Sequence, residues 1–370
     1  MTIRRVLWIN WRDLRNPQAG GAEVHTHEVL RRLAERGWET VLVSHSVPGL
    51  PSRERESGYE VRREGGASTF NFTVYANLRR WVREERADLV VDDSNKIAFA
   101  APWLSPVPVA ALIHHLFGKA IYREASIPAA LYVRLSERLV PAIYRNVPVM
   151  TGSPSTRQEL LGLGIREVFD VGEGVDLAGY GPPADGERDP NLLLYLGRIK
   201  KYKGLDVLIQ SLHRLSDRFP QARLEVAGSG DDVPRLREVA ASLGLGDRVK
   251  FLGRVSEEEK ISLYRRASVA LNSSLKEGWG LTSIEANGCG TPVVASDVPG
   301  LCDSVRDGET GFLVPFGDAD AMADRIGRIL GDAALATKLQ AQSLRWARSH
   351  TWDMVADRTE EVLLKVLVEK

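Results

Sequence analysis

The chain has 370 residues, 49 of them basic and 49 acidic. That length outgrows one hydrophobic core and suits two α/β domains, while balanced charge gives no global field for nucleic acid or an anionic membrane. Two cysteines, Cys289 and Cys302, are too few for a disulfide framework and lack zinc-site spacing; they read as two buried thiols in a reducing, cytoplasmic compartment.

MTIRRVLWIN runs from a basic start directly into a strand, unlike a signal-peptide core. A helix is predicted from about Gly21 to Arg36, ended by Gly37, then the strand TVLVS, a helix from Asn71 to Arg86, and the strands ADLVVDD and PVAALIHH. The 17 residues between Lys96 and His114 carry no charge, but Pro102, Pro106 and Pro108 break the run into a short helix, a turn and a buried strand rather than a membrane span. Helices follow from about Ile121 to Arg145, and Ser153-Pro154 opens another as N-cap and first helical residue. Residues 172–190 are rich in Gly, Pro and Asp and read as a linker. The alternation then restarts: NLLLYLG, helix Leu205–Arg218, RLEVAGSG, helix Val233–Leu243, VKFLG, helix Ser256–Arg266 with the capping-box pair Ser256 and Glu259, SVALNSS, a short helix, TPVVASD, GFLVP, and helices from Asp318 onward. The expected architecture is two doubly wound Rossmann-like domains, residues 1–172 and 191–348, joined by a linker, 173–190. In such sheets ligands bind at the carboxyl ends of strands.

Candidate site residues fall at those ends. In LGRIKKYKGLD, Arg198 follows a strand and Lys203 precedes a helix, so a guanidinium and an ammonium can converge on one pyrophosphate; a solvated basic loop is the plainer alternative. In KEGWGLTSIEANGCG, the glycines Gly278 and Gly280 lead into a helix from about Thr282 to Asn287. Its first amides and dipole favour a phosphate near Gly280, Leu281 and Thr282. Glu285, near that helix's end, suits a vicinal diol such as ribose, and Glu277, at the loop's start, suits hydroxyls of another ring. A nucleotide sugar has that layout of diol, diphosphate and polyol. Gly20 and Gly21 allow close backbone approach to a leaving phosphate. His114 and His115 end a strand on the same side. Asp92–Asp93 reads as a strand end and Asp231–Asp232 as a turn and helix start, not as metal sites.

LGRIKKYKG, FLGRVSEEE, EGWGLTSIEANGCGTPVVASDVPG with DGETGFLVP, and GGAEVHTHEVLRRLAERGWETVLVS resemble family 4 of the retaining glycosyltransferases, with the GT-B fold, over nearly the whole chain; the resemblance implies two domains facing across a cleft and a final helix, 349–370, crossing back to the first domain. The resemblance implies that Arg198 and Lys203 hold the donor diphosphate, Glu285 the ribose and Glu277 the transferred sugar. It also implies that Arg254 and Val255 lie against the base and that the functional histidine is His114, with His115 as the alternative. Hexose transfer from a UDP- or GDP-sugar with retention at the anomeric carbon is expected, UDP-glucose ahead of GDP-mannose. No metal or other cofactor is expected, since two cations and two helix N-termini can neutralise the leaving group. A GT-B sugar-nucleotide epimerase or a non-catalytic sugar-nucleotide binding protein are the competing readings. A dinucleotide-dependent oxidoreductase is disfavoured because Val233 stands where the third glycine after Gly228-Ser-Gly230 belongs. The acceptor is not legible. Arg123, Arg134, Arg138 and Arg145 among apolar residues suggest either peripheral contact with the inner face of a membrane, carrying a lipid-linked acceptor, or a solvated helix face.

Overall fold

Apolar runs bounded by glycine and polar residues become parallel strands covered on both faces, as continuous hydrophobic strands require. A computed structural model describes residues 4–94, 97–123, 127–184 and 186–368. The elements are β1 (Arg4–Asn10), α1 (Gly21–Glu35), β2 (Trp38–Ser44), β3 (Arg53–Glu56), β4 (Tyr59–Arg63), α2 (Phe70–Glu84), β5 (Leu89–Ser94), α3 (Ala101–Leu104), β6 (Val109–Ile113), α4 (Ile127–Glu137), α5 (Val140–Tyr144), β7 (Val149–Thr151), α6 (Pro154–Gly162) and β8 (Val168–Asp170). They continue with β9 (Asp189–Leu196), α7 (Leu205–Leu215), β10 (Arg223–Ala227), α8 (Val233–Ser242), β11 (Val249–Gly253), α9 (Glu257–Arg266), β12 (Ala267–Asn272), α10 (Leu281–Gly288), β13 (Val293–Ser296), α11 (Leu301–Ser304), β14 (Gly311–Val314), α12 (Ala319–Gly331), α13 (Ala333–Arg348) and α14 (Trp352–Val368).

The chain divides into two compact units, Met1–Gly174 with Thr351–Lys370, and Val175–His350. The first holds a sheet of order β3-β4-β2-β1-β5-β6-β7-β8, parallel except where β3 pairs antiparallel with β4. One of its cores joins Val29, Leu30 and Leu33 of α1 to Val355, Val362 and Leu363 of α14; another joins Leu7 and Ile9 to Phe70, Val74, Leu78 and Trp81. The second unit holds the all-parallel order β11-β10-β9-β12-β13-β14. Both are Rossmann-like α/β sheets. The winding reverses between β1 and β5 in one and between β9 and β12 in the other, and at such reversals a crevice opens beyond the strand ends.

Local chemistry accounts for several boundaries. Ser153 Oγ accepts from the Thr156 amide, and Ser256 with Glu259 closes a reciprocal cap on α9. Asp92 and Asp93 end β5, and Asp232 precedes α8.

Some elements differ from expectation. β3 and β4 come from RERESGYEVRR, too charged to read as strands, yet β3 is the outer strand, where charge protects an edge. The short β7 and β8 were also missed. The helices expected from Ile121 to Arg145 are a 3₁₀ turn (Gly118–Arg123), α4 and α5, with residues 124–126 outside the described set. In the segment 172–190, the Val175 amide donates to the His350 carbonyl and the Tyr180 hydroxyl to Glu257, so the residues from Val175 on pack within the second unit while 172–174 belong to the first. Cys289 is buried, but Cys302 is exposed on α11, whose Leu301 and Ser304 take the buried side. Among the described residues no helix is long and apolar enough to cross a membrane.

Candidate active site

The connections after β9, β10, β11 and β12 all leave the carboxyl edge of the second unit's sheet. The first two run backbone against backbone: the Gly197 amide donates to the Ala227 carbonyl and the Ile199 amide to that of Ser229, both at 3.0 Å. A Cβ on Gly228 would stand 1.9 Å from the Gly197 oxygen, and one on Gly230 1.8 Å from the Ile199 oxygen. The glycines of Gly228-Ser-Gly230 therefore serve strand-loop packing. Held on this platform, Arg198 keeps an exposed side chain while its carbonyl accepts from the Tyr195 hydroxyl at 2.9 Å. Arg254, exposed after β11, donates to Ser229 Oγ at 3.1 Å, and the neighbouring Val255 packs on the cluster containing Tyr264.

Lys203 is buried and its ammonium meets Glu277 Oε1, which also accepts from Ser274 Oγ at 2.6 Å. Burial pushes the Tyr195 phenol up, helped by the nearby Glu277 carboxylate and opposed by Arg198, so this ring lies within electrostatic reach of both. Three residues after Glu277, Gly280 starts α10 with φ +77°, and a Cβ there would fall 2.7 Å from Ser304 Oγ. Leu281 and Thr282 form the half-buried first turn. One turn on, Glu285 accepts from Lys260 Nζ at 2.8 Å and from the Tyr264 hydroxyl at 3.1 Å. Burial works against the Lys260 charge, but Glu285 and Glu257 outweigh it and raise its pKa. Two lysine–glutamate pairs thus flank a helix N-terminus whose amides and dipole favour an anion. Lys260, Tyr195 and Tyr264 were not singled out in the sequence; their positions on α9 and β9 give no local signal.

The remaining candidates belong to the first unit. Gly20 and Gly21 are exposed at the start of α1, and the Gly20 amide donates to Glu23 Oε2 at 2.7 Å. His114 follows β6 and is buried. Its Nε2 lies 3.1 Å from Asp93 Oδ1 and its Nδ1 3.7 Å from Glu173 Oε1. Asp93 is fixed by Trp8 Nε1, Asn10 Nδ2 and Thr26 Oγ1, at 2.9, 2.8 and 2.6 Å. His25 Nδ1 meets Glu173 Oε2 at 2.9 Å, and its ring packs edge-on against His114 and Trp352. Burial disfavours the charged imidazole of His114, but Asp93 and Glu173 overcome this and lift it to about 10. Glu173, buried likewise, is held at about 2 by His25 and His114. His115 is half-buried against Phe117. His25, His114 and Glu173 each offer a ligand atom within 4.8 Å of the others, the one such group among the described residues; the His25–Glu173 hydrogen bond already joins two of them.

A family model described as "Glycosyltransferase Family 4" matches residues 19–178, and one described as "Glycosyl transferases group 1" matches residues 184–346. A D-inositol 3-phosphate glycosyltransferase of Streptomyces bingchenggensis is 34% identical, over 94% of this chain and 85% of its own. The chain belongs to glycosyltransferase family 4. A namesake from Thermomonospora curvata is 31% identical over 93% of this chain and 90% of its own. Among solved structures, this glycosyltransferase superposes on sucrose-phosphate synthase of Thermosynechococcus elongatus with TM-score 0.79 at 24% identity, covering 99% and 100% of the two chains. It superposes on Anabaena HepE, crystallised with UDP and glucose, with TM-score 0.75 at 19% identity, covering 98% and 100%. These neighbours are GT-B glycosyltransferases, which fixes the fold class.

Proposed function

We propose that this glycosyltransferase moves a hexose from a nucleoside-diphosphate sugar to an acceptor hydroxyl, with retention and without a metal. The Lys203–Glu277 pair beside the α10 N-terminus carries the reading. A donor diphosphate competes for the Lys203 ammonium, with Arg198 and the amides of Gly280–Thr282 completing its cradle, and Glu277 is released to the hydroxyls of the transferred sugar. Glu285, anchored by Lys260 and Tyr264, takes the ribose diol, and Arg254 with Val255 lies against the base. In a same-face reaction the bond from anomeric carbon to β-phosphate oxygen breaks, the acceptor oxygen bonds to that carbon, and the acceptor proton passes to the departing phosphate.

A UDP-sugar is the preferred donor, in keeping with the uridine nucleotides bound to HepE. Inositol phosphate, named for the curated relatives, is the first acceptor to test. Thermal unfolding with UDP, GDP and ADP provides the experiment: UDP or GDP at a hundredfold excess over Kd raises Tm by roughly 5–10 °C. No response to any nucleoside diphosphate overturns the proposal. Donor hydrolysis that survives EDTA and is lost in Arg198→Ala or Lys203→Ala separates an enzyme from a binding protein.

A further inference from the structure

The first unit carries a solvent-facing apolar surface that the transfer chemistry does not use. On α4, Ala130 and Val133 are buried against Phe117 and Ile121, and the opposite side is apolar too. Ile127, Leu131 and Leu135, at i, i+4 and i+8, are 76%, 50% and 49% exposed, and Leu139 continues the row at 52%. A helix with apolar rows on both its buried and its exposed sides ordinarily meets protein or lipid on each. Tyr132 extends the surface to α2, where its phenol lies within electrostatic reach of Tyr75, whose ring is 6.1 Å from that of the 64% exposed Phe72. Contiguous exposed apolar surface of this kind marks an interaction site.

Its charge selects the partner. Arg138 is exposed beside Leu139, and Arg79 is exposed one turn beyond Tyr75. Residues 68–83 include Arg79, Arg80 and Arg83 but no acid. Among the described residues from Ile127 to Tyr144 the sole acid, Glu137, is buried, where it accepts from the Phe117 and Gly118 amides and pairs with Arg134. Isologous contact with a second copy would set like charges against each other. At ~1.5 Å per residue α4 is far too short to cross a hydrocarbon core of ~30 Å; it can only lie on one.

We infer that this face docks on an anionic lipid bilayer, with α4 in the interfacial plane, its aliphatic row among the acyl chains and Arg79 and Arg138 at the headgroup phosphates. The inference stands apart from the transfer reaction, and its test needs no donor. The full chain is floated with vesicles of phosphatidylcholine alone or mixed with phosphatidylglycerol, at low and high salt. Wild type is expected to float with phosphatidylglycerol vesicles at low salt. Leu131→Ser with Leu135→Ser is expected to abolish flotation without lowering Tm, since both side chains are half-exposed. Arg79→Gln with Arg138→Gln is expected to weaken partitioning on the order of 30-fold. Failure of wild type to float, or equal flotation of wild type and the serine variant, overturns the inference. So does a dimer in light scattering that the serine variant converts to monomer while vesicles bind neither protein.

Discussion

An ammonium and a carboxylate that meet beside a helix N-terminus neutralise each other until a stronger anion arrives. Lys203→Ala leaves Glu277 with Ser274 but without its cation and removes a donor to the leaving diphosphate, so kcat for nucleotide release is expected to fall by about 10²–10³. Glu277→Gln keeps the shape and is expected to raise KM for the sugar donor while UDP affinity, read by calorimetry, holds. In the first unit the expectation concerns pH. His114 is lifted from 6.5 to about 10, so its contribution is full below about 6.5 and lost as pH rises through 10. Glu173 is depressed from 4.5 to about 2, so its contribution is present above about 4.5 and lost as pH falls through 2. Tm against pH should therefore lose alkaline slope in His114→Gln and acid slope in Glu173→Gln; unchanged slopes would remove the ion pair from the account. Arg198, Lys203, Glu277 and Glu285 stand out in the sequence because they lie in or beside glycine-bounded loops between strand and helix, and the fold brings Lys203 to Glu277. His25 and Glu173 do not: they meet across 148 residues, and neither sits in a local pattern that names a partner.

Among the elements, the loops after β9 and β10 make the sharpest case. Gly230→Ala drives a methyl into the Ile199 carbonyl, and forcing apart two hydrogen-bonded backbones is expected to cost ~1–3 kcal/mol or more in urea unfolding. It should also displace Arg198, weakening nucleotide binding alongside stability. From sequence, Gly228-Ser-Gly230 served only to exclude a dinucleotide fingerprint, because a glycine's purpose depends on what approaches it. Strands with continuous apolar runs, such as β1, β5 and β6, were legible; β3 and β4 were hidden by their charge. The sequence of α4, with Arg134 among apolar residues, fits a solvated and a lipid-facing helix alike.

For the whole molecule, the decisive feature is that the first unit is discontinuous, Met1–Gly174 being completed by Thr351–Lys370. Truncation after His350 is expected to strip Val355, Val362 and Leu363 from one core of the first unit. Hydrogen exchange should then report lost protection in α1 and β6, with the second unit retained. The restart of the strand–helix alternation points to two domains, whereas the return of α14 to the first unit follows in sequence only from the family resemblance and is shown by its contacts. An order of events during translation follows. The ribosome releases the first 174 residues without their closing helix, and at about 5–20 residues per second α14 emerges roughly 10–40 s later. The second unit is continuous in the chain and has all its residues about 1–4 s before the last of the first unit's are made, so the half begun first is the half whose residues are completed last.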